Sequence, residues 1–173
     1  MADSPEISIV IPVYNEEESL PQLFKELYPV MENLNRSFEI IFINDGSRDK
    51  SFSMLYDFQK KHNKTVRVID LNGNFGQHMA ITSGFANVRG QYVITLDADL
   101  QNPPEEIPRI IAKMDEGYDV IGTCRQNRHD PLFRKVASRL VNKATNRISG
   151  LHISDYGCML RGYSRRIVDI IVQ

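Results

Sequence analysis

The chain has no tryptophan and only two cysteines, Cys124 and Cys158, among its 173 residues. So few cysteines cannot build a disulfide framework, and both are predicted to be reduced thiols, with one disulfide as the alternative. No apolar run approaches the roughly 20 residues of a membrane-spanning helix, and the N-terminus lacks the basic segment of a signal peptide. The composition, 42% hydrophobic and 25% charged, is typical of a globular protein.

The segment after the first predicted strand lacks the glycines of a dinucleotide site. Residues 12–18 read Pro-Val-Tyr-Asn-Glu-Glu-Glu, so the segment is acidic instead. A dinucleotide fold needs a glycine-rich turn there, so that backbone amides can approach the pyrophosphate, and no P-loop lysine motif occurs either. The chain is therefore predicted to bind phosphate through a metal ion held by carboxylates.

Short β-rich runs alternate with helical patterns over the first 123 residues. Strands are predicted at 7–13, 39–43, 66–71, 92–96 and 119–123, and helices at 17–31, 51–61, 76–88 and 104–114. This alternation is typical of an α/β fold with a mostly parallel central sheet and helices on both faces. No repeat or linker is visible, so residues 1–173 are predicted to form a single domain.

Two aspartates, Asp97 and Asp99, stand one residue apart at the end of the fourth predicted strand. Like charges so close repel each other, and one carboxylate would normally take up a proton. A bound Mg²⁺ or Mn²⁺ removes the conflict, because hard divalent cations bind carboxylate oxygens and then substrate phosphates. The pair therefore predicts a divalent metal site.

Polar residues also follow the other predicted strands. They are Tyr14-Asn15-Glu16 after the first, Asn44-Asp45-Gly46-Ser47 after the second and Asn72-Gly73-Asn74 after the third. In open α/β sheets, ligands bind beyond the carboxyl ends of the strands. These segments and the acidic pair are therefore expected to converge on one substrate site.

A basic amphipathic helix is predicted at 131–149. Residues 125–166 hold ten Lys and Arg against two acidic residues, whereas the remainder of the chain carries a net charge of −9. The helix could cover the sheet with its apolar face, lie on an anionic membrane surface, or simply present a solvated charged face.

Four ordered motifs resemble those of family 2 glycosyltransferases of the GT-A fold. They are Ile9-Val10-Ile11-Pro12-Val13-Tyr14-Asn15-Glu16, Asn44-Asp45-Gly46-Ser47-x-Asp49, Asn74-Phe75-Gly76-Gln77, and Leu96-Asp97-Ala98-Asp99-Leu100-Gln101-Asn102-Pro103-Pro104-Glu105. Within that family the chain most resembles the polyprenyl-phosphate glycosyltransferases. This group includes dolichol-phosphate mannose synthases and the bacterial undecaprenyl-phosphate 4-deoxy-4-formamido-arabinose transferases, and the likeness runs from about Ile7 to Arg161.

The resemblance implies a role for several residues. Asp45 would bind the nucleotide base, in a pocket lined by Pro12, Tyr14 and Glu16. Asp97 would contact the donor ribose or sugar, or the metal through water. Asp99 would bind the Mg²⁺ or Mn²⁺ directly, with Gln101 as a third ligand.

Further candidates follow from position. Asn72 is placed in the substrate site. His78, at a predicted helix start, could meet a phosphate or could simply cap the helix. Arg125 and Arg128 could neutralise a donor or acceptor phosphate, or stand idle on the surface.

The function implied is inverting sugar transfer from a nucleotide-diphosphate sugar to a polyprenyl phosphate, with UDP favoured as the nucleotide and GDP as the alternative. That acceptor is already anionic and needs no general base, whereas a glycan hydroxyl would need one, with Asp155 as the candidate. The alternatives are a soluble transferase acting on such a hydroxyl and a non-catalytic nucleotide-sugar-binding or membrane-docking domain. No nucleic acid partner is expected, and homo-oligomerisation stays open.

The sequence departs from the resembled pattern in two places. Gly73 stands where relatives often carry arginine, and the chain ends at Gln173, where polyprenyl-phosphate transferases continue into interfacial and transmembrane helices. The chain is therefore expected to be a truncated catalytic domain of a protein at the cytoplasmic face of the cell membrane, with a short soluble relative as the alternative. Since there is no tryptophan, the Gln-x-x-Arg-Trp motif of processive polysaccharide synthases is absent.

Overall fold

The computed structural model describes residues 4–123 and 158–173. Five predicted features lie outside the described residues: Cys124, Arg125, Arg128, Asp155 and the basic helix at 131–149. What the sequence predicts for these five features stays a prediction.

A six-stranded sheet forms the centre of the described chain, in the order β3-β2-β1-β4-β6-β5. Its strands are β1 Ile7–Val13, β2 Phe38–Asn44, β3 Val66–Asp70, β4 Tyr92–Thr95, β5 Val120–Gly122 and β6 Arg161–Ser164. The first four strands pair in parallel, and β6 pairs antiparallel with both β4 and β5. The predicted mostly parallel α/β sheet is confirmed.

Helices cover both faces of this sheet. They are α1 Leu20–Asn33, α2 Ser51–Lys61, α3 Gln77–Phe85, α4 Ile107–Asp115 and α5 Arg165–Ile171, with a 3-10 turn at Pro104–Glu106 before α4. Leu23, Leu55 and Ile111, from α1, α2 and α4, lie in the core on one face, while Ala80 and Val168, from α3 and α5, lie in the core on the other.

One small residue, Gly84, lets α3 pack closely on the sheet. A Cβ atom on Gly84 would lie 2.5 Å from Cγ1 of Val10 and 2.9 Å from Cδ1 of Ile43, two side chains of the central strands. Only glycine therefore allows α3 to lie this close to the sheet. The fixed helix in turn sets where its first residue, Gln77, meets the carboxyl ends of the strands.

The sixth strand was not predicted, because Arg-Gly-Tyr-Ser has neither an apolar run nor a clear alternation. The close packing of this strand against α4 explains why it contains a glycine. A Cβ atom on Gly162 would lie 2.5 Å from Cγ2 of Ile110 and 2.9 Å from Sδ of Met114, so a side chain there would push α4 off the sheet. Glycine at this position lets the strand insert between β4 and β5.

A buried carboxylate, Glu39, holds the edge of the sheet opposite the carboxyl ends of β1, β2 and β4. Its side chain is 1% exposed, and it accepts hydrogen bonds from Ser8 Oγ at 2.7 Å, Arg67 Nη1 at 2.9 Å and Arg89 Nη2 at 2.8 Å. Burial raises the pKa of Glu39, but the bonds from Arg89, Ser8 and Arg67 outweigh it, so the pKa lies below its usual value. The carboxylate is therefore ionised in the folded protein.

Replacing Glu39 by glutamine should lower the free energy of unfolding by about 2 kcal/mol at pH 7, because the hydrogen bonds that the buried carboxylate accepts from Ser8, Arg67 and Arg89 lose their charge. Since the folded pKa of Glu39 is depressed, its contribution is present above the unfolded value of about 4.3 and is lost as pH falls through the folded value. Urea unfolding of both proteins between neutral and acidic pH should therefore show their difference shrinking on acidification.

The matched control is Glu106→Gln, which removes an exposed carboxylate paired with Arg109 at 3.0 Å. A surface pair of this kind contributes less than about 1 kcal/mol. If both substitutions lowered the free energy of unfolding equally at neutral pH, Glu39 would not be the stabilising buried carboxylate described above.

Candidate functional site

A cleft of about 480 Å³ opens at the carboxyl ends of the central strands, where the sequence predicted it. Seven of the predicted site residues line it together: Pro12, Tyr14, Glu16, Asp45, Asp97, Asp99 and Gln101. Six further lining residues were given no individual role from the sequence, although Asn74 belongs to a segment expected to converge here: Val13, Asn74, Gly76, Gln77, Ala98 and Met159. The cleft thus brings together residues that follow β1, β2 and β4, which are adjacent in space and distant in sequence.

Two other predicted site residues do not line this cleft. Asn72 is exposed in the loop after β3, and His78 is exposed on the first turn of α3. The predicted phosphate and acceptor residues Arg125, Arg128 and Asp155 lie outside the described part of the chain. A substrate role for these five residues stays a prediction.

The loops after β1 and β2 are bonded to each other. The backbone N–H of Asn15 donates to Ser47 Oγ at 3.1 Å, and Oδ1 of Asn15 accepts the N–H of Arg48 at 2.8 Å. The N–H of Glu16 donates to Ser51 Oγ at 2.8 Å. Asn15 has a φ of 55°, a left-handed conformation that asparagine tolerates better than most residues. These bonds fix Tyr14 and Glu16 on the wall of the cleft.

Asp49 reinforces the same pair of loops. Its carboxylate accepts the backbone N–H of Glu17 at 3.1 Å and that of Ser51 at 2.9 Å, and Glu17 Oε2 accepts the N–H of Lys50 at 2.9 Å. Burial raises the pKa of Asp49, but the hydrogen bonds from Ser51 and Glu17 lower it by more, so the pKa lies below its usual value. Helix α1 begins at Leu20, three residues after the predicted start at Glu17, whose backbone N–H is bonded to Asp49 instead.

Asp45 holds the loop that leads into α3. Its side chain is 3% exposed. Its two carboxylate oxygens accept the backbone N–H groups of Phe75 and Gly76, each at 2.8 Å, and its carbonyl accepts Asn74 Nδ2 at 3.2 Å. The predicted contact of Asp45 with a nucleotide base stays a prediction. The structure adds that this carboxylate fixes the backbone at Phe75 and Gly76, just before α3.

The close approach of these loops depends on Gly46. Its φ is +68°, and a Cβ atom there would lie 2.6 Å from the carbonyl carbon of Gly73 and 2.8 Å from the nitrogen of Asn74. Both contacts are with backbone, which cannot rotate away. Glycine at this position is therefore what allows Asp45 to reach the loop after β3.

The acidic pair lies on the side of the cleft beyond β4. Oδ1 of Asp97 accepts Nε2 of Gln77 at 2.6 Å, and Oδ1 of the exposed Asp99 accepts the backbone N–H of Gln101 at 3.1 Å. Between Asp99 and Gln101, Leu100 has a φ of 62°, a conformation uncommon for residues other than glycine. Such strain is often found at functional sites, and here it lies between two residues that line the cleft, Asp99 and Gln101.

The donor atoms fit a hard divalent cation. Asp97, Asp99 and Gln101 offer carboxylate and amide oxygens on one side of the cleft, the ligand type of Mg²⁺ and Mn²⁺. Within residues 4–123 and 158–173, no group of three or more His, Cys, Asp or Glu side chains is placed to hold a metal ion. A cation bound here would therefore be shared with a ligand that brings oxygen atoms of its own.

A buried polar cluster that the sequence did not predict supports the loop of the acidic pair. Asn102, 2% exposed, accepts a hydrogen bond from the free thiol of Cys158 at 3.1 Å, and that sulfur lies 3.0 Å from Thr123 Oγ1. Asn102 Nδ2 is buried with no hydrogen-bond partner among the described residues. The cluster thus joins the loop after Asp99 to the two residues that flank the segment 124–157.

In the two described stretches of the chain, no helix has both the length and the apolar character needed to cross a bilayer.

Solved structures of glycosyltransferases share this fold. Glucosyl-3-phosphoglycerate synthase from Mycobacterium tuberculosis, solved with Mn²⁺, UDP-glucose and phosphoglyceric acid, superposes with a TM-score of 0.72 at 18% identity over 94% of this chain and 58% of its own. S. aureus TarS 1-349 superposes with a TM-score of 0.63 at 19% identity over 96% of this chain and 49% of its own. The chain thus spans about half the length of these proteins, and the likeness establishes the GT-A fold.

The sequence itself matches the family model described as glycosyl transferase family 2, over residues 8–171. The match takes in every strand of the sheet from β1 to β6 except the first residue of β1, together with the acidic pair and the loops that line the cleft. This chain therefore belongs to glycosyl transferase family 2.

Proposed function

We propose that residues 1–173 form the catalytic domain of an inverting glycosyltransferase that moves a sugar from a UDP-sugar to a polyprenyl phosphate. The observation that carries the proposal is the acidic pair, Asp97 and Asp99, in the same cleft as Tyr14 and Asp45. The cleft volume of about 480 Å³ lies within the range of small-molecule sites, roughly 300–1,000 Å³.

The donor is a UDP-sugar bound with Mg²⁺ or Mn²⁺. The synthase from M. tuberculosis was solved with Mn²⁺ and UDP-glucose, which supports this choice for a chain of the same fold. Asp99 and Gln101 would hold the cation, with Asp97 directed at the cation or the ribose. When bound, the cation supplies Lewis-acid stabilisation of the diphosphate that leaves.

The acceptor is a polyprenyl phosphate at the cytoplasmic face of a membrane. Its phosphate oxygen is already anionic and attacks the anomeric carbon without a general base, while the bond to the diphosphate breaks. Arg125 and Arg128 would neutralise phosphate charge, and the basic helix at 131–149 would lie on the anionic surface. Support comes from the resemblance to polyprenyl-phosphate transferases and from the ten Lys and Arg in residues 125–166.

A hydroxyl acceptor is the second candidate. The synthase from M. tuberculosis was also solved with phosphoglyceric acid. Transfer to a hydroxyl requires a group that removes its proton, and general-base catalysis contributes roughly 10²–10⁴-fold to a rate. Asp155 is the residue that would carry out this step.

The test is a transfer assay that compares the two acceptors. The protein, Mn²⁺ and a panel of UDP-sugars are incubated with undecaprenyl phosphate in anionic liposomes or with a soluble glycan, and products are identified by mass spectrometry. The proposal expects a sugar-phosphoprenol product. Product from the glycan alone would support the second candidate.

The same assay should show that Asp155→Asn leaves turnover within about threefold of the unsubstituted protein, because a phosphate acceptor has no proton to remove. A loss of ~10²-fold or more would assign Asp155 as a general base and favour a hydroxyl acceptor. Asp57→Asn, an exposed position on α2 that does not line the cleft, is the control for the loss of one carboxylate.

A further inference from the structure

One side-chain hydrogen bond crosses from α3 to the acidic pair. Nε2 of Gln77, the first residue of α3, donates to Oδ1 of Asp97 over 2.6 Å, and both side chains line the cleft. A hydrogen bond to an ionised carboxylate is shorter and stronger than one between neutral groups. The bond therefore restricts the orientation of the Asp97 carboxylate.

Gln77 itself starts from a well-fixed backbone. The preceding residue, Gly76, has a φ of +89° and donates its N–H to Asp45 Oδ2 at 2.8 Å. The carbonyl of Gly76 accepts the N–H of Ala80 at 3.1 Å, and Ala80 is fully buried in the core between α3 and the sheet. The backbone from which the Gln77 side chain extends is thus fixed by Asp45 and by the core, as a positioning group requires.

The charge of the cleft makes a neutral donor significant. Four carboxylates, on Glu16, Asp45, Asp97 and Asp99, line the cleft, and none of its described lining residues is Lys, Arg or His. A lysine in place of Gln77 would also orient Asp97, but it would neutralise the charge that attracts a cation. An amide orients the carboxylate and leaves that negative charge in place.

We propose that Gln77 is a positioning residue that holds Asp97 in the orientation needed to bind the divalent cation together with the donor diphosphate. The inference rests on the proposed function and adds a residue to which no role was assigned from the sequence. Gln77 should therefore strengthen donor binding only when the cation is present, because it acts through Asp97.

The test is the Kd of UDP for Gln77→Met, measured by calorimetry with Mn²⁺ and again with EDTA. Methionine keeps the length of the side chain and removes only the amide. With Mn²⁺ the Kd should rise roughly 10- to 100-fold, as expected for a lost hydrogen bond to a charged group. With EDTA it should not change, and the thermal midpoint should match that of the unsubstituted protein.

Gln91→Met is the matched control, since Gln91 is exposed just before β4, at the opposite end of that strand from Asp97. It should leave both Kd values unchanged. Three outcomes for Gln77→Met would overturn this inference and leave the proposed function standing. They are an unchanged Kd, an equal rise in Kd with Mn²⁺ and with EDTA, and unfolding of the variant. Failure of the unsubstituted protein to bind UDP with Mn²⁺ would overturn the proposed function, and this inference with it.

Discussion

Replacing Asp99 by asparagine should abolish the Mn²⁺-dependent part of UDP binding and lower sugar transfer by at least ~10²-fold. Asparagine has the same shape, and its carbonyl can still accept the Gln101 N–H that Asp99 accepts at 3.1 Å. The loop should therefore keep its conformation while the site loses one negative charge. The effect should be large because Asp99 is the predicted direct ligand of the cation, and its replacement removes the stabilisation of the leaving diphosphate.

Thermal denaturation with UDP, with and without Mn²⁺, measures this loss directly. A ligand at about 100 times its Kd raises the free energy of unfolding by roughly 2.7 kcal/mol, so the unsubstituted protein should show a clear increase in midpoint. Asp99→Asn should show none beyond that seen with EDTA. Asp57→Asn, exposed on α2, should behave like the unsubstituted protein. A Mn²⁺-dependent increase that survives in Asp99→Asn would show that the cation is held elsewhere.

Most of the sheet could be predicted because its strands are nearly continuous apolar runs. Every residue of β2 except Phe38 is buried, so Phe-Glu-Ile-Ile-Phe-Ile-Asn reads as a strand without knowledge of its neighbours. The antiparallel strand β6 has no such pattern. Its position depends on the space that Gly162 leaves for α4, which is a tertiary effect.

The site could be located from the sequence because the carboxyl ends of parallel strands meet at one edge. The individual contacts could not be predicted, because they depend on how far loops move toward each other. Asn72 was predicted to line the site, whereas Asn74 does so. The backbone bonds from Phe75 and Gly76 to Asp45 draw the later part of that loop inward.

The same limit applies to Gln77 and Asn102. Each belongs to a motif noted in the sequence, but neither is marked as a site residue by its type or spacing. Gln77 gains its contact from the close packing of α3, and Asn102 from a thiol 56 positions away in the chain. Side-chain contacts across distant segments are set by packing, which local patterns do not encode.

Substituting Gly46 by alanine should destabilise the fold by about 3 kcal/mol and also weaken UDP binding. Two effects add. A left-handed φ costs a non-glycine residue roughly 1–2 kcal/mol, and the φ of Gly46 is +68°. The new Cβ would also meet the backbone of Gly73 at 2.6 Å. Relief of that contact requires the loop after β3 to move away, which breaks the hydrogen bonds that the N–H groups of Phe75 and Gly76 donate to Asp45.

Two other glycines separate these effects. Among the described residues, no atom lies within 4 Å of the place that a Cβ would take on either glycine, and only Gly117, with a φ of +97°, has a left-handed backbone. Chemical denaturation should therefore show a loss of unfolding free energy that grows from Gly122→Ala through Gly117→Ala to Gly46→Ala. The loss should be close to zero for Gly122, about 1 kcal/mol for Gly117 and about 3 kcal/mol for Gly46. Only Gly46→Ala should weaken UDP binding, because only Gly46 lies between the loops of the cleft. Equal stability of the Gly46 and Gly117 variants would mean that the loop after β3 yields without cost, and Asp45 would then not be what fixes it.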